Sequence, residues 1–272
     1  MDETNNPLEA KLETLRRNLA AMESAAVAFS GGVDSAFLLY VAHETLGDRV
    51  AAVTGTSVSF PQREAEAAAE FCRSRGIRHA FVETDEMKAP GFADNPPNRC
   101  YICKKALFGK LAEYAKANSL VFLLEGSNAD DESDYRPGRE AVRELGVKSP
   151  LLEAGLGKAE IREAARRAGL EVWNKPAMAC LASRFPYGER LTAARFSRVE
   201  KAERFLGSLG ADIAQMRVRS QGDTARIEVP PESFDAILRH RGEISAAFRE
   251  AGFAYVSLDL DGYRTGSMNE TL

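Results

Sequence analysis

Apolar positions recur at helical spacing near the start of the chain, where Leu8, Leu12, Leu15 and Leu19 mark one stripe of an amphipathic helix over residues 8–22. The texture then changes. Residues 25–29, 50–53, 79–83 and 120–124 are short runs in which apolar residues stand side by side rather than alternating, so each is predicted to be a strand buried on both faces. Residues 36–46, 62–75 and 101–118 between them read as helices, the second closed by Gly76. Residues 158–168 form a further helix. Four strands alternating with helices predict an α/β fold, a parallel sheet covered on both faces. Such sheets bind ligands at the carboxyl ends of their strands, and three polar stretches fall there: Ser30–Ser35, Thr54–Ser57 and Gly126–Asp131.

Past Trp173 the period is lost, and residues 175–191 are dense in Pro, Cys, Arg and Gly, as active-site loops often are. Helix 193–209, strands 216–220 and 224–229, helix 234–251 and strand 255–259 follow. They predict a second, smaller α/β domain, giving domains 1–187 and 188–272. The balance of 36 basic and 40 acidic side chains gives a net charge of −4. A polyanion-binding surface needs a basic surplus, so no nucleic-acid partner is expected. No apolar run approaches the ~18 residues of a membrane span. The first residues are polar and acidic rather than basic then apolar, so a cytoplasmic protein is expected.

Ser30-Gly31-Gly32-Val33-Asp34-Ser35 lies between a predicted strand and a predicted helix. The glycines let backbone amides approach an anion, and the helix turns its positive end toward it. Ser30 and Ser35 can donate to phosphate oxygens, whereas the anionic Asp34 suits Mg²⁺. Neither the Gly-Lys-Ser/Thr ending of a Walker A loop nor Gly-x-Gly-x-x-Gly is present. The hexapeptide resembles the PP-loop of the ATP pyrophosphatases, which cleave ATP between the α and β phosphates and leave AMP on an oxygen of the substrate. That resemblance implies an ATP site built from Ser30, Gly31, Gly32, Asp34, Ser35, Thr54, Ser57 and Gly126.

Cys100 and Cys103 have the spacing of a metal or redox pair, but no second such pair completes a zinc site. Cys180 joins them as a third thiol, and three thiolates suit an iron–sulfur cluster with one iron open to another ligand. Arg184 stands near enough in sequence to balance thiolate or phosphate charge. Cys72, in mid-helix among Ala and Phe, reads as a small buried hydrophobe.

These features together resemble the LarE family, ATP-dependent sulfur transferases of nickel-pincer cofactor synthesis. The resemblance runs through Asn98–Lys104, Asp130–Gly138, Lys175–Arg184 and Gly262–Asn269. It implies adenylation of the carboxylates of a pyridinium mononucleotide and their conversion to thiocarboxylates, with Cys180 handling sulfur. Members with only that cysteine sacrifice its sulfur, whereas Cys100, Cys103 and Cys180 match the set that binds a [4Fe-4S] cluster. Asp34 is the expected Mg²⁺ ligand, with Glu132 a weaker candidate. Arg217 and Arg219 alternate on one predicted strand and share a face. With Arg184 and Arg264 they form the expected clamp for the substrate phosphate, oriented by Glu228. The family also implies a homo-oligomer, with a hexamer as the candidate state. The alternative readings are a tRNA thiolase or another PP-loop synthetase, and a non-catalytic nucleotide-binding iron–sulfur protein.

Overall fold

The computed structural model describes residues 7–133, 138–176, 179–210, 213 and 215–264. The chain divides into two compact units, Met1–Ala89 with Asn98–Met178, and Pro90–Pro97 with Ala179–Leu272.

The first unit is built on four parallel strands, β1 (Ala25–Ala28), β2 (Val50–Thr56), β3 (His79–Glu83) and β4 (Phe122–Leu124), in the order β3-β2-β1-β4. The connections are α1 (Pro7–Ala20) before the sheet, α2 (Val33–Leu46), α3 (Gln62–Ser74) and α4 (Arg99–Ala117). After β4 come α5 (Gly138–Glu144), α6 (Pro150–Glu153) and α7 (Lys158–Arg167). The strand at 120–124 begins later than its apolar run suggests. Leu120 N–H is taken by Ala115 O at the end of α4, so pairing starts at Phe122.

Alternation along the strands sorts side chains to two cores, because successive Cβ atoms point to opposite faces. Ala25, Val27, Val50 and Ala52 pack with α1, α2, α3 and α7, whereas Ala26, Ala51 and Val53 pack with α4 and α5. The stripe of α1 buries Leu8, Leu12, Leu15 and Leu19, each contributing roughly 1.5–3 kcal/mol against exposure. A doubly covered sheet is the reason the central strands β1 and β2 are continuously apolar, whereas β3 at the edge of the sheet departs from expectation: none of its residues is fully buried, and Phe81 is 48% exposed. Strand order reverses at β1, whose neighbours are β2 and β4, so the crevice beyond their carboxyl ends is the topological switch point.

The second unit contains α8 (Ala193–Ser208), β5 (Arg217–Gln221), β6 (Thr224–Glu228), α9 (Phe234–Arg239), α10 (Arg241–Glu250) and β7 (Tyr255–Leu258). β5 and β6 form an antiparallel hairpin, and β6 and β7 are parallel. Thr192 caps α8 by accepting Arg195 N–H at 3.2 Å, worth about 1 kcal/mol. The single helix expected over 234–251 is two helices. His240 leaves helical geometry (φ −94°, ψ 13°), serving as the C-cap of α9 and the N-cap of α10. The short segment 90–97 belongs here because Asn95 Nδ2 donates to Pro186 O at 2.6 Å and Leu191 N–H to Ala93 O at 2.8 Å. Among the described residues, no helix is long and apolar enough to cross a membrane.

Candidate active site

The loop after β1 lies at the switch point and enters α2 through Gly32, its N-cap residue. Gly31 adopts φ +72°, a left-handed backbone that favours glycine. The two serines bind each other: Ser30 Oγ and Ser35 Oγ are 3.1 Å apart, Ser35 Oγ donates to Gly32 O, and Gly32 N–H reaches Ser30 Oγ at 3.4 Å. The loop is therefore shaped by its own hydroxyls. Gly126, after β4, comes so close that an added Cβ would lie 2.9 Å from Ser35 N. Two of the three polar stretches anticipated at this rim thus meet backbone to backbone.

Asp34 begins α2 and points one carboxylate oxygen at Asn128, whose Nδ2 donates to Oδ2 at 3.1 Å. The other oxygen, Oδ1, is buried and accepts no hydrogen bond among the described residues. Burial pushes the Asp34 carboxyl up from its ordinary value; Lys158 and the Asn128 hydrogen bond pull the other way, Asp131 adds to the rise, and Arg162 opposes it. A buried carboxylate oxygen lacking a donor fits a hard cation, so this residue suits Mg²⁺. Glu132, the second candidate, has a side chain outside the described residues.

Lys175 is a component that sequence reasoning passed over. Its Nζ donates to Gly31 O at 3.0 Å and pairs with the buried Glu64 of α3 at 2.6 Å, clamping the loop backbone. Its sequence signals are its place at the start of the aperiodic stretch 175–191 and of the family-like run Lys175–Arg184, neither of which assigns it a role. Two residues expected at ATP are engaged inward. Thr54 is buried, donates to Phe29 O at 2.8 Å and meets His79 Nε2 at 2.8 Å. Ser57 donates to the buried Glu86 at 2.7 Å, and Ser59 donates to the same oxygen. These hydroxyls brace the end of β2, leaving the loop 30–35, Asp34 and Gly126 as the drawn-together part of the nucleotide site.

Cys100 and Cys103 are the second and fifth residues of α4, three positions apart and so on one helix face. Cys100 is exposed and Cys103 half-buried, and both belong to the first unit. Cys180 is an exposed free thiol of the second unit, at the start of a short 3₁₀ turn over Leu181–Arg184. Within either unit, no group of three or more His, Cys, Asp or Glu side chains is gathered for a metal among the described residues.

The arginines expected at the substrate phosphate take distinct positions. Arg184 has no exposed surface and forms a bidentate pair with the buried Glu203 of α8, Nε to Oε1 at 2.8 Å and Nη2 to Oε2 at 3.0 Å. Its remaining nitrogen, Nη1, donates to Ala179 O (2.8 Å), Cys180 O (3.2 Å) and Ser183 Oγ (2.9 Å). Arg184 is therefore bound up in holding the cysteine loop. Arg219 pairs with Glu228 at 2.8 Å, and its Nη1 donates to Ser183 O at 2.6 Å. Glu228 also accepts from Arg226 at 3.0 Å, an arginine outside the expected clamp. Arg217 is buried, donates to Met216 O at 2.7 Å, and lies 5.3 Å from the centre of the Tyr263 ring. Burial and the neighbouring Arg184 charge lower its pKa, partly offset by Glu203. Arg264 is half-buried and pairs with Asp261 at 3.3 Å; residues 265–272 lie outside the described part.

A parallel sheet with a Ser-Gly-Gly-Val-Asp-Ser turn at its switch point defines a PP-loop protein, and residues 24–93 match the family model for the queuosine biosynthesis protein QueC. The chain is 43% identical over 267 residues to an uncharacterized protein of Synechocystis, covering 97% of this chain and 99% of that one. It is 37% identical over 266 residues to pyridinium-3,5-bisthiocarboxylic acid mononucleotide synthase of Lactiplantibacillus plantarum, covering 97% and 96%. It is 28% identical over 185 residues to a glutamine-hydrolyzing GMP synthase chain of Thermococcus kodakarensis, covering 62% and 59%. The chain belongs to the family of that pyridinium mononucleotide synthase, the LarE family.

Proposed function

We propose that this protein adenylates the carboxylates of a pyridinium-3,5-dicarboxylate mononucleotide and exchanges an oxygen of each for sulfur. The observation that carries the reading is the pairing, in a chain aligned end to end with such a synthase, of a PP-loop bearing a donorless buried Asp34 oxygen with an exposed cysteine on a clamped loop.

A carboxylate is a poor electrophile, and AMP supplies the missing leaving group. A substrate oxygen attacks the α-phosphorus, the bond from that phosphorus to the bridging oxygen breaks, and pyrophosphate departs. Backbone amides of 31–35 and the start of α2 seat the phosphates. Mg²⁺, when held by Asp34, offsets charge on the polyphosphate. A sulfur nucleophile then attacks the acyl carbon, and AMP leaves with the electrons of the C–O bond. The soft thiol set of Cys100, Cys103 and Cys180 suits a [4Fe-4S] cluster, which when bound supplies sulfide and spares the sulfur of Cys180. Arg217, Arg219 and Arg264, with Glu228 paired to Arg219, are the proposed seat of the substrate phosphate.

Anaerobically purified protein given ATP, Mg²⁺ and the pyridinium dicarboxylate is expected to release pyrophosphate and form thiocarboxylate, read by mass spectrometry. Asp34→Asn should reduce pyrophosphate release by about 10²-fold or more, the scale of losing one organised electrostatic contact. Pyrophosphate release that requires added tRNA would favour the thiolase reading, and ATP binding without release the non-catalytic one. Iron and sulfide analysis tests the sulfur source: iron-free protein whose Cys180 loses its sulfur in one turnover would refute the cluster.

A further inference from the structure

The residues around Cys180 leave its thiol exposed while fixing its backbone from both sides. Arg184 Nη1 reaches the carbonyls of Ala179 and Cys180, and Arg219 Nη1 reaches that of Ser183. Ser183 adds local closure, since its Oγ donates to Cys180 O at 2.9 Å and its N–H to the same oxygen at 3.1 Å. A guanidinium can hold carbonyls in place only if it is itself immobile. Arg184 is immobilised by Glu203, which engages Nε and Nη2 together, the fork geometry that fixes an arginine in both position and plane. Glu203 is in turn held by its place on α8 and by Val218 N–H, which donates to Oε1 at 3.1 Å at the start of β5. A continuous chain thus runs from β5 through Glu203 and Arg184 to the Cys180 carbonyl.

A buried Arg–Glu pair is a poor source of stability, because its desolvation offsets its attraction. A short apolar pair would fill the same space. What an apolar pair cannot do is donate to the carbonyls of Ala179 and Cys180. We infer that Glu203 is a positioning residue: acting through Arg184, it holds the Cys180 loop in the geometry that sulfur transfer requires. The inference rests on the reading of Cys180 as the sulfur-handling residue. Sulfur attack on an acyl adenylate needs the reacting atoms aligned at near-contact distance, and a misplacement of about 1 Å can cost 10²-fold in rate.

The test compares the wild type with Arg184→Met/Glu203→Met and with Arg184→Lys. The double variant removes both charges and so avoids an unpaired buried ion, while Arg184→Lys keeps the charge but loses the fork. The expected result is a double variant with wild-type circular dichroism, and KM for ATP within threefold of wild type. Amide exchange at Ser183 should rise at least tenfold, and kcat for thiocarboxylate formation should fall at least tenfold. Arg184→Lys should fall between the two. A double variant that folds and matches the wild type within twofold in both Ser183 exchange and kcat overturns the inference. Should the double variant not fold, Arg184→Lys decides by the same two readings. Cys180→Ala is run in parallel. Thiocarboxylate formation that survives it removes Cys180 from the chemistry and refutes the underlying reading, whereas Ser183 exchange still reports whether Glu203 and Arg184 anchor the loop.

Discussion

Adding one methyl group at Gly126 tests the idea that the nucleotide loop depends on close backbone approach between β4 and α2. A Cβ at 126 would stand 2.9 Å from Ser35 N and 3.2 Å from both Asp34 C and Ser35 Cα. All three are backbone atoms at the start of α2, so no side chain can swing aside. Ordinary contact begins at 3.4 Å, so the loop after β4 and the first turn of α2 must part by about 0.5 Å. Overpacking of this kind costs roughly 1–3 kcal/mol of stability. The functional cost is expected to be larger in proportion, because the displaced atoms carry Asp34 and the loop amides proposed to seat the phosphates. A shift of half the ~1 Å that can cost 10²-fold implies about a tenfold loss in kcat/KM for ATP. The assay is pyrophosphate release at varied ATP, beside a thermal melt. Gly109→Ala is the control: it lies within α4, has nothing within 4 Å of its added Cβ, and should stabilise by about 0.4–1 kcal/mol without touching the loop. Gly126→Ala with kcat/KM within twofold of wild type would refute the close-approach reasoning.

Arg184→Met alone leaves Glu203 buried without its main partner and should cost roughly 3–5 kcal/mol at pH 8, lowering Tm by about 6–20 °C. In the wild type, burial pushes the Glu203 carboxyl up, but Arg184, its hydrogen bonds and Val218 N–H together hold it below its ordinary value. Such a group adds stability above its unfolded pKa and loses it as pH falls through the folded one. The variant reverses that sign, its carboxyl being raised by burial, so the gap in Tm should shrink between pH 8 and pH 5; a gap independent of pH would count against the pairing. Cys72 supplies a contrast in reactivity. Burial pushes its thiol up to about 12, with Arg75 opposing, so at pH 8 iodoacetamide should label Cys180 of cluster-free protein and spare Cys72 until the protein unfolds, as read by peptide mass spectrometry. Equal labelling of the two would refute the burial of Cys72.

Local pattern carried the parts of this protein that depend on near neighbours in the chain. Four runs of adjacent apolar residues meant a parallel sheet covered on both faces, and the central strands β1 and β2 do bury both, although β3 at the edge does not. Ser-Gly-Gly-Val-Asp-Ser meant an anion-binding turn, since every group it needs lies within six residues and Gly31 supplies the left-handed backbone. Which polar groups face a ligand and which face one another depends on partners distant in sequence, and composition carries no mark of that. Thr54 looks inward because His79 and Phe29 O are there to meet it, and Ser57 because Glu86 is. Lys175 reaches Gly31 across 144 positions, and Arg184 meets Glu203 on another element, so neither pairing is visible until the chain is folded. A sheet, a glycine-rich turn entering α2 and a set of thiols were thus legible from residue order alone. Folding was needed to reveal Arg184 as an internal fastening and Asp34 as the holder of a buried oxygen that no donor meets among the described residues. Burial is a property of the packed chain, and burial sets what each charge can do.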